Sequence, residues 1–150
     1  MKKKQLIVTV LLVLAFSVIP VSAKASNTIS VMYQVDPSYE VVIPSYTDIP
    51  YMAEMTTYGT IQIKEAVLEE DKCILVEMNS SGVLVNEEYP QSTIPYQVLH
   101  ENKPFTSQKY TKKGEETKLD ISIKKEDWKK AMGGTYKAEI TFTISYVDKK

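Results

Sequence analysis

Few residues in this sequence are equipped for covalent chemistry. The chain has one histidine, His100, and one cysteine, Cys73, among 150 residues. A zinc centre takes three or four Cys, His or acidic ligands on a regular spacing, and no such set can be assembled around these two. A nucleophilic triad would have to pass through His100. That residue lies in the polar stretch His100-Glu101-Asn102-Lys103-Pro104, after an expected edge strand. Cys73 opens an apolar run and reads as a small buried hydrophobe, not a reactive thiolate. No Gly-x-Ser-x-Gly elbow occurs, and five glycines leave no phosphate-cradling loop. The acidic clusters Glu69-Glu70-Asp71, Glu87-Glu88 and Glu126-Asp127 lack the alternating Asp/Asn spacing of a calcium loop. They read as solvated turns. Paired glycosidase carboxylates carry no specific signal in a chain with 19 acids. The expectation is a protein that is not an enzyme, with no cofactor and no metal.

Tyrosine is the unusual residue. There are ten, against three Phe and one Trp. Tyr33, Tyr39, Tyr136 and Tyr146 fall on the apolar faces of expected strands. Tyr46, Tyr51, Tyr58, Tyr89 and Tyr110 fall in expected loops or at their margins. A tyrosine offers a flat apolar ring and a hydroxyl tip, which suits stacking on sugars or gripping a protein partner. Tyr46, Tyr51 and Tyr58 are therefore the candidate ligand-binding residues. The same residues also fit as half-buried loop anchors.

The elements that would position them follow a period of two. From Tyr136 to Tyr146 one face carries Tyr136, Ala138, Ile140, Phe142, Ile144 and Tyr146, and the other Lys137, Glu139, Thr141, Thr143 and Ser145. That is one long half-buried strand. Ile29, Val31, Tyr33 and Val35 alternate with Thr28, Ser30, Met32 and Gln34. They are followed by the turn Asp36-Pro37-Ser38 and a strand Tyr39–Ile43. Ile61, Ile63 and Val67 mark a third strand, with Glu65 interrupting its face. Ile74, Val76 and Met78 mark a fourth, joined to the third by a hairpin turn at 69–72. Ile94, Tyr96 and Val98 form a fifth, pushed to an edge by Pro95. Leu119, Ile121 and Ile123 form a sixth, and Val83-Leu84-Val85 a short extra one. Residues 125–132 make a short helix with acids early and lysines late, stopped by Gly133-Gly134 and pinned by Trp128. The stretch from Pro44 to Tyr58 has no clear period. The pattern predicts an all-β fold: an antiparallel two-sheet sandwich with one short helix before the last strand.

The first 23 residues read as a secretory signal peptide. Lys2, Lys3 and Lys4 precede an apolar run from Leu6 to Ile19, then Pro20 and the small-residue site Val21-Ser22-Ala23. The apolar run is short of the roughly 20 residues that span a bilayer. Residues 24–150 then form a single domain. Cleavage removes three of the 18 lysines and no acid, leaving 15 lysines against 19 acids, a net charge of −4. With no arginine, this acidic chain is a poor match for nucleic acid or for an anionic membrane. A lone Cys73 allows no internal disulfide, so the domain relies on its core.

Two segments resemble a family. Residues 33–44, Tyr-Gln-Val-Asp-Pro-Ser-Tyr-Glu-Val-Val-Ile-Pro, are similar to the opening of small secreted Ig-like β-sandwich proteins of Gram-positive bacteria. Asp127-Trp128 and the run Gly134-Thr135-Tyr136 through Ile144 resemble their closing strand, which is also similar to those of fimbrial subunits. The resemblance implies an Ig-like sandwich at the cell surface or outside the cell, and carries over no functional residue. Three functions are expected from these readings. The first is a non-enzymatic secreted or cell-surface interaction and adhesion module, meeting a surface protein or a glycan. The second is a pilin-like structural subunit in which the Thr28–Val35 strand complements a neighbour's sheet edge. The third is a carbohydrate-binding module using Tyr46, Tyr51 and Tyr58.

Overall fold

The computed structural model describes residues 32–150, of which Val35–Lys150 form one compact unit. Among the described residues, eleven strands and one short helix run in order: β1 (Ser38–Val42), β2 (Met55–Val67), β3 (Lys72–Ser80), β4 (Val83–Asn86), β5 (Thr93–Pro95) and β6 (Gln97–His100). Then come β7 (Lys103–Pro104), β8 (Ser107–Tyr110), β9 (Glu116–Ser122), α1 (Lys125–Trp128), β10 (Tyr136–Lys137) and β11 (Ile140–Asp148). A five-stranded antiparallel sheet has the order β1-β2-β9-β6-β7, and two three-stranded sheets have the orders β10-β4-β5 and β11-β3-β8. The expected signal segment, and Thr28–Val31 of the expected first strand, lie outside the described residues.

Alternation of apolar and polar residues is what makes this arrangement close. Ile61 and Ile63 of β2, Leu119 and Ile121 of β9 and Val98 of β6 all point inward from the five-stranded sheet. Ile74 and Val76 of β3, Leu84 of β4, Ile94 of β5 and Tyr110 of β8 share the same core from the other two sheets. Each such aliphatic side chain contributes roughly 1.5–3 kcal/mol by leaving water. The buried Tyr110 hydroxyl donates to Thr117 Oγ1 at 2.6 Å, a polar bond linking β8 to β9 inside the apolar layer. The fold is therefore all-β and sandwich-like, with Cys73 buried as the sequence implies.

Several elements depart from the sequence reading. Residues 32–37 carry no strand, and Tyr39 belongs to β1, which pairs with β2. Tyr33 is exposed, not on a buried face. The polar link at 69–72 is not a hairpin turn. β2 and β3 lie in different sheets, so Leu68–Asp71 arches from one to the other, held by the Lys72 N–H to Glu69 C=O turn bond at 3.2 Å, by Glu69 N–H donating to the Tyr146 hydroxyl at 2.9 Å and by Lys149 N–H donating to Asp71 C=O at 2.9 Å. The expected fifth strand is two strands, β5 and β6, because the chain changes sheet at Tyr96, whose N–H donates to Gly82 C=O at 2.8 Å.

The long closing strand is also two. β10 pairs with β4 and β11 pairs with β3, with Ala138-Glu139 between. The cause lies in the partner: β3 and β4 are separated by Ser81-Gly82, where Gly82 has φ +69, so the strand alongside has to jog at the same level. The helix is shorter than expected, Lys125–Trp128, followed by a turn over 129–130.

Candidate functional site

The stretch after β1 explains how the candidate tyrosines are placed. Pro44 packs on Gly59, whose missing side chain leaves room for it: a Cβ there would lie 3.1 Å from the proline ring. The chain then runs through 45–54 without regular structure. It is held by Thr47 Oγ1 donating to Thr57 C=O at 3.3 Å and by a turn from Pro50 C=O to Ala53 N–H at 3.0 Å. Ile49 and Met52 pack against the core and anchor it. Trp128 closes the far end: its indole N–H donates to Ala53 C=O at 2.8 Å.

This loop and the segment from Ala131 to Ala138 enclose a groove of about 480 Å³. Tyr46 and Tyr51 stand on the loop side, the buried Leu84, Ile94 and Trp128 line it from the core, and Met132, Tyr136 and Lys137 line the other side. The two loop tyrosines are 76% and 79% exposed, far more than a packing role requires. Tyr51 meets Trp128 edge to face with centroids 5.7 Å apart. The Tyr46 hydroxyl donates to Asp48 Oδ1 at 2.5 Å, and that carboxylate raises the phenol above its ordinary value. Lys137 is held by Glu87 at 2.6 Å, which raises its ammonium above the usual lysine range. Of the two charged residues lining the groove, Lys137 is thus paired with an acid and Asp48 is hydrogen-bonded by a neutral phenol.

The opposite wall is fixed by two polar knots. Tyr136 O–H donates to Met132 C=O at 3.0 Å, accepts from Met132 N–H at 2.9 Å and lies 2.6 Å from the Ser92 hydroxyl. Burial works to raise this phenol, but bonds from Ser92, Asn86 and the Met132 backbone outweigh it and leave it below its ordinary value. Asn86 is fully buried. Its Oδ1 accepts from the Glu88 and Tyr89 N–H groups, both at 3.0 Å, and its Nδ2 donates to Gly133 C=O at 3.3 Å.

Of the three candidates, the structure brings Tyr46 and Tyr51 together and separates Tyr58 from them. Tyr58 is in β2, not a loop, and stacks on Phe142 of β11 at 6.3 Å; burial, and to a lesser degree Tyr96 beside it, raise its phenol. Tyr110 is likewise no loop residue but a core one. Sequence reasoning missed Trp128, Met132 and Tyr136 as groove residues. The signal that could have found them is the Gly133-Gly134 pair between Trp128 and Tyr136, which folds both rings toward the same loop.

His100 sits apart, its Nδ1 2.9 Å from Lys118 C=O, beside a shallow depression with Glu101, Glu116 and Asp120. Among the described residues no three Cys, His, Asp or Glu side chains converge as metal ligands. No described helix is long and apolar enough to cross a membrane. Set against models of known protein families the chain matches none, and no curated protein matches it.

Proposed function

We propose that this is an exported interaction module, a non-enzymatic Ig-like β-sandwich of the extracellular or cell-surface space, whose binding surface is the aromatic groove between the 45–54 loop and β10. The observation that carries this reading is the exposure of Tyr46 and Tyr51 beside a groove lined by Trp128, Met132 and Tyr136. Concave, mostly apolar sites with a few placed polar groups are where ligands bind. The export reading rests on Lys2–Lys4, the apolar run and the Val21-Ser22-Ala23 site.

The test uses an array of neutral glycans and a display library of extended heptapeptides. Capture on either is expected to fall at least about tenfold for Tyr46→Ala or Tyr51→Ala and to persist for Tyr58→Ala. Capture that survives both groove substitutions overturns the reading. So does turnover of glycosides, esters or peptides that is lost on a single acid-to-amide change. Protein recovered from the medium with Lys24 at its N-terminus supports export, and an intact Met1 on cytosolic protein refutes it. A second reading, carbohydrate binding, is favoured by the two loop rings, whose exposure suits stacking on a sugar face. It wins if glycans are captured and peptides are not.

A further inference from the structure

The wall of the groove is a strand edge. β10 pairs with β4 on one side, and among the described residues no strand pairs with its other side. The register fixes which backbone groups face outward. Tyr136 lies opposite Asn86, while the flanking Thr135 C=O accepts from Glu87 N–H at 2.9 Å. Tyr136 is therefore at a non-hydrogen-bonded position of that ladder, and its own N–H and C=O point away from β4, toward the groove. An extended chain laid there gains backbone bonds from Tyr136 and drops alternate side chains between Tyr51, Met132 and Trp128.

A segment of this same chain has the matching chemistry. Ile29, Val31, Tyr33 and Val35 alternate with Thr28, Ser30, Met32 and Gln34, and Ser26–Val35 carries no charged side chain. That suits a groove in which Asp48 is bonded by Tyr46 and Lys137 by Glu87. In the part that is described, Met32 is 94%, Tyr33 89% and Val35 59% exposed, with no strand over 32–37. Counted from Lys24, fourteen residues precede β1, which reach about 46 Å when extended, enough to cross onto a neighbouring molecule.

We infer that the groove beside β10 receives the Ser26–Val35 segment of a second copy of this chain as an added strand. The inference rests on the groove being the binding surface and names its occupant. Assembly is then homophilic, with one donor segment and one acceptor groove on every molecule. Contacts of this kind run head to tail, and they make chains unless the geometry closes them.

Size exclusion with light scattering from micromolar to millimolar protein is expected to show concentration-dependent assembly. Tyr33→Asp on the donor alters an exposed side chain and should leave the melting temperature unchanged, Tyr51→Asp on the acceptor also gives up its edge contact with Trp128 and should lower it slightly, and each should abolish assembly. Mixing the two variants should restore a one-to-one dimer, because each supplies the half that the other lacks. A synthetic peptide of residues 26–36 should change the fluorescence of Trp128, the only tryptophan. N-methylation of alternate peptide residues should weaken this by about tenfold, as loss of backbone pairing requires. A strict monomer at millimolar concentration overturns the inference, as does assembly that Tyr51→Asp leaves intact. It is also overturned if Tyr33→Asp alters Trp128 fluorescence in a monomer, which would mean that the segment fills its own groove. If foreign ligands bind through Tyr46 and Tyr51 while the peptide does not, the occupant is wrong and the groove reading stands. If nothing binds through those residues, both fall.

Discussion

Gly134→Ala is the sharpest test of how the groove wall is held. Gly134 has φ +139, and a Cβ built there would lie 2.6 Å from Asn86 Nδ2, closer than side chains approach. Asn86 cannot yield cheaply, because it is fully buried and its amide serves Glu88, Tyr89 and Gly133. Losing those three bonds costs about 1 kcal/mol each. The backbone conformation adds about 1–2 kcal/mol. The sum is about 4–5 kcal/mol, a large share of the roughly 5–15 kcal/mol that holds a domain together. Urea unfolding followed by Trp128 fluorescence measures it. Gly133→Ala is the control, since nothing lies within 4 Å of its added Cβ, and should cost under about 1 kcal/mol. In an Asn86→Ala background, Gly134→Ala should cost only its backbone strain, about 1–2 kcal/mol. If the two glycines behave alike, or if the Asn86 and Gly134 effects simply add, the reasoning is refuted.

Tyr110→Phe and Thr117→Val should each cost about 1–2 kcal/mol in urea unfolding, and the double variant less than their sum, because one buried bond joins them; strict additivity would deny that bond. Trp128→Phe keeps one aromatic ring but removes the pyrrole half of the buried indole and leaves Ala53 C=O without its donor, so thermal melting by circular dichroism should show a loss of at least about 1–2 kcal/mol. An unchanged midpoint contradicts that anchor. Lys72 holds Asp148 at 2.7 Å and keeps its carboxyl below the ordinary value of 3.8. A lowered carboxyl stabilises the fold above 3.8, and the gain disappears as pH falls through the lowered value. Asp148→Asn should flatten that part of the acid limb in a pH series of melts, and an identical acid limb would rule the pair out as its source.

What the sequence made legible was inside-outside alternation. Ile61, Ile63, Leu119 and Ile121 are buried where a period of two puts them. Which strand pairs with which was not legible, because alternation says which face is buried and nothing about the neighbour. Hence β1 turned out to lie beside β2, and 69–72 to be an arch. The jog at Ala138-Glu139 could not be read from the unbroken pattern of 136–146, since its cause sits in the partner at Ser81-Gly82. The site was half legible. Tyr46 and Tyr51 stood out through the two prolines and the lost period around them. Tyr58 was misplaced because β2 begins at Met55, earlier than its apolar residues Ile61 and Ile63 suggest. Trp128 and Tyr136 looked like core alone, and only the turn at Gly133-Gly134 brings them to a ligand-sized space.

The pairing of β3 with β11 sets a timetable. Lys72 waits for Asp148, 76 positions later, and the whole of β3 is matched residue for residue by the last strand. A ribosome must therefore add the residues up to Asp148 before Ile74 and Val76 can be sealed beside their final neighbour. Partners so distant along the chain close slowly. The newly made polypeptide consequently stays open along β3 until β11 emerges, and a premature stop ahead of codon 140 yields a product with one side of β3 unzipped.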